Sequence, residues 1–560
     1  MSGVGLTRAA LMERPILKKN LAALVAGGQH LALAWLTEAA PLKPVTEVAG
    51  AGGQAIMVVG GQSQASRHDP VREARQWLDK ARERQPWAVS APVLLFGFGS
   101  PWTVALLLEE PGGTLGVFEP DPLVALAALS QHDFSLALAD PDRGLKLLTP
   151  RHLSRGLELS DPTLLVHPPA QRREAAQLSQ LRRALAGSGP DLSGLSGHDL
   201  KLMIVPPLSG GSWPVAVSLA RAVEMSRHQL FFLEWEAELK RLEAEAHRAR
   251  SPEEGGRLIA RLFERTGQRV TEAATEFQPD LILALAQAPL DAPALTRLRE
   301  SFRALLAFWL VEDFTFFSYI AEVAPAYDFL FHIQEGLIEE TLGDWGLSRS
   351  AYLPLAADPD LFQPRSAAET EVYQADLSFM GAGYPNRRRL LGLLAADYWP
   401  KTGRPAGTFR IFGSGWEGVD ARLKAHLFEG GRRVSQPECA LIFAGGRVNL
   451  NIHSGPASRP EFWPDGGFVN PRTFEIAAAG GLQIVDPRPL MPSLFEAGRE
   501  LAVAEGPEAL PDLIDHYLAH PEEAQTIGRA ARARVLAEHS YSHRLNQLLA
   551  HLGWRDESDL

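Results

Sequence analysis

Cysteine is almost absent from this chain. Of its 560 residues, Cys439 is the single cysteine. No intrachain disulfide can form, and no cysteine cluster can hold a metal. A reducing cytoplasm is the compartment this composition suits. An excess of positive charge is missing too. Lys and Arg number 55 against 67 Asp and Glu, a net charge of -12. A phosphate backbone needs a basic face, so nucleic acid is excluded as the main partner, and a strongly anionic membrane surface with it. Long apolar runs are lacking. Leu21 to Ala26 follows Lys18 and Lys19 in the manner of a signal peptide, but the segment from Gly27 to His30 breaks it, and it reads as an amphipathic helix of the folded protein. Glu312 and Asp313 interrupt the other run, from Ala304 to Ile320. Neither reaches the about 20 apolar residues of a membrane span, so no transmembrane segment is expected. Repeats and low-complexity tracts are absent, and the 49 glycines and 41 prolines follow no period.

What is present is ordinary globular material, 46% hydrophobic and 22% charged, in a chain too long for one core. Three α/β units are expected. Residues 1–195 carry a strand at Ala55 to Val59, then Val93-Leu-Leu-Phe-Gly97-Phe-Gly99, then a strand at Leu115 to Phe118 ending in Glu119. That order of strand, Gly-x-Gly turn, helix, strand and acid outlines a nucleotide-binding βαβ half, with Glu119 placed to hold a ribose. Trp102 stands where the third fingerprint glycine would fall, which argues against a dinucleotide. Residues 198–360 carry buried strand runs at Leu202, Leu230, Leu281, Ala304 and Phe329, with a glycine loop, Gly210-Gly211-Ser212, before the first helix. The Glu and Arg run between Trp235 and Phe277 reads as a solvated helix face broken at Pro252. Residues 374–535 repeat the strand and glycine-loop form at Gly381-Ala-Gly383 and Gly413-Ser-Gly415. Residues 536–560 close the chain with a helix.

The most informative stretch is Asn470-Pro-Arg472-Thr-Phe-Glu475-Ile-Ala-Ala-Ala-Gly480-Gly481, followed by Leu482 to Asp486. Asn470 is a good N-cap, Pro471 fits the first helical position, and the glycines end the helix before a buried strand. A helix N-terminus beside Arg472 is an anion site. Glu475, one turn in, is a lone carboxylate on an Ala and Ile face. The set suits a nucleoside diphosphate, with amides and Arg472 on the phosphates and Glu475 on ribose hydroxyls.

This stretch resembles the donor-binding element of GT-B glycosyltransferases, and most of all the CgeB-like, spore-maturation-type group. The resemblance covers about residues 198–550. It implies a GT-B fold, two Rossmann-like lobes facing a cleft, here with an extra N-terminal α/β Rossmann-like domain. The segment Ser66-Arg-His-Asp69-Pro70-Val-Arg-Glu73-Ala74 and the Gly-x-Gly strand after it resemble the N-terminal half of motility-accessory-factor proteins, which are associated with sugar transfer to flagellin. That implies a part in acceptor selection. Many retaining GT-B enzymes carry a glutamate pair of the form E-x7-E. Glu475 matches the second, while Gly467 stands where the first would be. In GT-B proteins the last helix usually crosses back to the first lobe, and His539 to Leu552 is the candidate here.

The resemblance implies an activity: transfer of a sugar from a nucleotide-diphosphate sugar to a protein or envelope-glycan acceptor, with no cofactor and no metal. Cationic side chains and helix dipoles take the leaving-group charge in such sites. Donor-side candidates are Gly381, Gly383, Arg387, Asn470, Arg472 and Glu475. Gly210, Gly211 and Ser212 are the acceptor-side candidates. The proton of the acceptor needs a base. Asp313 and His332 are the candidates for it, with Glu312 a further carboxylate beside Asp313, all near strand ends. His453 and Ser454 are placed to line the cleft. Asp358-Pro-Asp360 has the letters of a metal motif, but its position between lobes marks a turn. Two other readings stay open: a non-catalytic nucleotide-sugar-binding or assembly protein on the same fold, and a nucleotide-sugar epimerase.

Overall fold

The computed structural model describes residues 4–556, except 89–90, 111–112, 141–143, 156, 158, 160–161, 187–190, 209, 247–250, 317–318, 346, 348, 456–461 and 463–465. It is an α/β protein built on four sheets. The sequence reading of a single N-terminal sheet needs correction. Ala55–Val59 belongs to a small antiparallel sheet with Val4–Gly5, Val45–Ala49 and Gln62–Ser63. A separate parallel sheet follows, in the spatial order Leu145–Leu148, Leu115–Phe118, Val93–Phe96, Thr163–Val166. Val45–Ala49, Ala55–Val59 and Gln62–Ser63 pair in turn through hairpins and Val4–Gly5 joins from the far edge, whereas the apolar run Val93–Phe96 is buried throughout, as a parallel strand of an α/β sheet is.

Two further parallel sheets carry the rest. The first runs in the order Gln229–Phe232, Lys201–Val205, Leu281–Leu285, Leu305–Leu310, Phe329–His332, Ser350–Tyr352. Every residue of Leu281–Leu285 and Leu305–Leu310 is buried. The second runs Phe409–Phe412, Ala375–Met380, Gly446–Asn451, Gln483–Val485, Ala502–Val503. Together they form the two lobes of a GT-B fold. The charged stretch between Gln229–Phe232 and Leu281–Leu285 of the first sheet is two helices, Glu236–Ala246 and Pro252–Phe277. Ser251 caps the second by accepting from the Glu254 amide, and Pro252 takes its first position, so the break expected at Pro252 falls at the start of this helix.

The carboxyl ends of the two sheets meet at a cleft. Asp313, just past Leu305–Leu310, has its Oδ2 3.6 Å from where a side chain would begin at Gly466, and Gly467 stands 3.8 Å from the Glu335 carbonyl by the same measure. Behind the cleft the chain returns. Helix Tyr541–His551 packs on Trp213–Glu224 of the first of these sheets. Arg544, 1% exposed, donates to the Leu355 carbonyl, and Trp554 donates its indole N–H to the His198 carbonyl. No described helix is long and apolar enough to cross a membrane.

Candidate functional site

Helix Pro471–Ala478 starts as its residues dictate. The Asn470 side chain accepts from the Thr473 amide at 3.1 Å, and Pro471 takes the first helical position. Asn470 is only 3% exposed and is held from three sides. Its Nδ2 donates to Asn451 Oδ1 at 2.9 Å, and its backbone N–H donates to His453 Nε2 at 3.0 Å. A ring nitrogen that accepts carries no proton, so the His453 proton is on Nδ1, which donates to Asp486 Oδ1 at 2.8 Å. Arg488 pairs with the other Asp486 oxygen. Burial pushes His453 down to about 4. Burial would raise Asp486, but His453 and Arg488 outweigh it and hold the carboxyl at about 2. This chain of groups fixes the start of the helix. It also means that Asn470 and His453 serve the fold: the amides of Asn470 and Thr473 already have acceptors, and the anion site narrows to Arg472.

Arg472 is half-buried, and its Nε is shielded from solvent with no acceptor among the described residues. Glu475 lies one turn further, also half-buried. No described residue donates to its carboxylate. Burial raises it to about 7, although Arg472 pulls the other way. Across the cleft, Ser212 donates its hydroxyl to Glu312 Oε1 at 2.7 Å, and a side chain at Gly211 would begin 3.5 Å from the same oxygen. Burial raises the Glu312 carboxyl. Ser212 opposes the rise, the Asp313 charge adds to it, and Arg472 opposes it from the other lobe. The glycine loop, a strand-end acid and the Asn470 helix therefore meet at one place.

Several expected residues sit differently. Arg387 is 2% exposed and donates twice to the Ile452 carbonyl, at 2.9 and 2.7 Å, and once to Ala382 at 3.1 Å. Burial and the nearby Arg472 bring it down to about 9. It braces the loop and lends its charge from below. Gly381 and Gly383 were expected to let a ligand approach. In the fold their missing side chains let two glycine loops stack: a Cβ at Gly383 would lie 2.2 Å from the Gly415 carbonyl oxygen, and one at Gly413 2.6 Å from that of Gly381. Asp313 Oδ1 accepts from the amide and hydroxyl of Thr315 at 2.9 and 2.7 Å, a local turn, leaving Oδ2 toward Gly466. His332 is 1% exposed, with Nδ1 2.5 Å from the Gln334 carbonyl. It is an interior histidine at the end of Phe329–His332. In the N-terminal unit, Glu119 is wholly buried. It accepts from the Phe98 and Asp121 amides at 2.7 and 3.1 Å and pairs with Arg173 at 3.3 Å, so the expected ribose position is filled by the protein itself.

Asp486 and Arg488 escaped the sequence reading as a supporting pair. The one signal was an acid directly after a buried strand. Choosing between Glu312 and Asp313 was beyond it, because both lie past the strand end, where alternation no longer tells which side chain faces the cleft.

Residues 387–550 match the family described as "Glycosyl transferase-like". No curated protein matches the chain. Among solved structures the chain is similar to sucrose-phosphate synthase from Thermosynechococcus elongatus, at 14% identity and a TM-score of 0.42 over 63% of this chain and 99% of that one. A glycosyltransferase from Rickettsia africae matches at 14% identity and 0.45, over 63% and 97%. HepE from Anabaena, in complex with UDP-glucose, matches at 15% and 0.42, over 63% and 98%. The glycosyl transferase-like match thus covers residues 387–550, from the second of the two lobes to the closing helix.

Proposed function

We propose that this protein is a bacterial-type, cytoplasmic glycosyltransferase of the CgeB-like kind. It moves a sugar from a nucleotide-diphosphate sugar to a protein or envelope-glycan acceptor without a metal. The observation that carries the reading is that Arg472 of one lobe acts on Glu312 of the other, with Glu475 one turn along from Arg472 on the same helix and the Arg472 Nε without an acceptor among the described residues. A buried polar atom without a partner, such as the Arg472 Nε, is costly, and a ligand acceptor would satisfy it. Arg472, with Arg387 behind it, offsets the diphosphate charge that grows as the sugar–phosphate bond breaks. Glu475 accepts from ribose hydroxyls. Glu312, kept basic by burial, takes the proton of the acceptor hydroxyl as its oxygen bonds to the sugar. This assigns the base to Glu312 and leaves Asp313 to shape the loop.

A thermal-shift screen against nucleoside diphosphates and their sugars tests the donor class, since a ligand of the folded state raises the melting point. Transfer or donor hydrolysis should persist in EDTA. Activity lost to the chelator and restored by manganese would overturn the role given to Arg472. Gly467, which supplies no carboxylate, favours one alternative, a binding protein without turnover. Tight donor binding with no hydrolysis or transfer to any acceptor would select it.

A further inference from the structure

The N-terminal parallel sheet reverses direction as it is built. From Val93–Phe96 the chain adds Leu115–Phe118 and Leu145–Leu148 on one side, then crosses back to place Thr163–Val166 on the other. Such a reversal leaves a crevice at the carboxyl ends of the two strands that flank it, the habitual ligand position of open α/β sheets. A cavity of about 310 Å³ lies there. Ser100, just before helix Pro101–Glu109, and Thr103, in its first turn, line one side, and His167, directly after Thr163–Val166, lines the other. Trp77 from helix Pro70–Arg84 forms an apolar wall, its ring 6.2 Å from that of His167 and nearly perpendicular to it. Glu73 and Arg172 complete the lining with charge.

One polar atom here is left over. His167 is 7% exposed, and its Nδ1 is buried with no hydrogen-bond partner among the described residues. Burial, with Arg173 and Arg172 nearby, holds the ring to about 3, so it is neutral and serves as a hydrogen-bonding group and not as a charge. Arg172 is exposed at the rim and makes no ion pair among the described residues. The start of helix Pro101–Glu109 adds its positive end, and the Ser100 side chain does not cap it. The ring wall and hydroxyl donors suit a hydroxylated body, and Arg172 with the helix end suits an anionic group on it. A nucleoside does not fit the same crevice in the usual way, because Glu119, the acid a ribose would need, is enclosed by Phe98, Asp121 and Arg173.

We propose that this crevice is a second ligand site, separate from the cleft, which takes a small hydroxylated anion of sugar size, its carboxylate or phosphate held at Arg172 and its body laid against Trp77 with hydrogen bonds to His167 and Thr103. The proposal does not depend on the donor cleft being catalytic. The test uses the full chain and ligand-observed NMR or calorimetry with four probes: glucuronate, glucose 6-phosphate, glucose and inorganic phosphate. At least one of the two sugar anions should bind, with glucose weaker by about tenfold or more. Glucuronate alone marks a carboxylate site and glucose 6-phosphate alone a phosphate site. Arg172→Ser, at an exposed position that leaves the fold intact, and Trp77→Ala should each weaken binding by about tenfold. Arg472→Ala, in the cleft, should leave it unchanged. Failure of both sugar anions to bind overturns the proposal. So does binding that survives Arg172→Ser and Trp77→Ala, or that disappears with Arg472→Ala. Inorganic phosphate binding as tightly as the sugar anion would reduce the crevice to an anion niche and overturn the sugar-sized ligand.

Discussion

Residues on the cleft carry charges that the fold alone would not choose. Desolvation lifts the half-buried Glu475 carboxyl to about 7, against the pull of Arg472. Its folded value lies above the unfolded one, so the unfolded chain releases this proton first. Stability is full below the unfolded value and is lost as pH rises through about 7. Glu475→Gln should therefore raise the melting point at about pH 8, by about 1–3 kcal/mol of stability, and change little at about pH 4. The same change should weaken nucleoside diphosphate binding about tenfold, through loss of a charge-assisted hydrogen bond. A variant less stable at both pH values that binds as the parent does would show Glu475 to be a packing residue. Glu312 and Asp313 separate in the same way. Glu312→Gln should lower transfer by about 100-fold or more with donor affinity kept, as loss of a general base does. Asp313→Ala should cost about 1 kcal/mol in stability through the Thr315 turn, with a smaller effect on transfer. The reverse order in steady-state rates would return the base to Asp313.

At the scale of elements, the glycine loops are a packing device. Gly383 leaves no room for a methyl group against Gly415. Gly383→Ala should lower stability by about 1–3 kcal/mol, read from the denaturant midpoint. Gly392, in helix Pro385–Leu393, has open space around it. Gly392→Ala should instead stabilise by up to about 1 kcal/mol through helix propensity. Equal effects at the two sites would mean that the loops do not stack as described. One helix start was legible: Asn470 acts as the N-cap that its residue type suggests, because capping is a local bond between neighbours in sequence, and Ser251 and Asp69 cap their helices in the same way. The use of glycine was not. A gap left for a ligand and a gap left for another loop look alike in sequence, since the partner, Gly415, lies 32 positions from Gly383.

For the whole molecule, the C-terminal helix ties the ends of the GT-B pair together. The Leu192 amide donates to the Leu552 carbonyl and the Gly197 amide to that of Arg555. A fragment should therefore begin before Leu192, ahead of the boundary near 195–198 that composition suggests. Residues 191–560 are expected to fold and to bind donor by calorimetry, with a lower melting point than the full chain. The loss is expected because Gln180, buried against the first lobe, donates to the Pro325 and Tyr327 carbonyls, and Arg151 pairs with Asp344. A folded fragment with no donor affinity would move the nucleotide to the N-terminal unit.

The sequence by itself determined the α/β class, the parallel strand runs, the helix start at Asn470 and the glycosyltransferase resemblance of the Asn470 stretch. All of these rest on neighbours in sequence or on a contiguous motif. Tertiary structure alone decided that Asn470 and His453 brace the helix through Asp486, that Arg387 lies on backbone carbonyls, that Glu119 is enclosed by Arg173, and that Glu312, and not Asp313, meets Ser212 and faces Arg472. The physical reason is burial. Whether a polar side chain serves the fold or a ligand depends on which distant groups satisfy it once water is removed, and those groups come from other strands, loops and lobes.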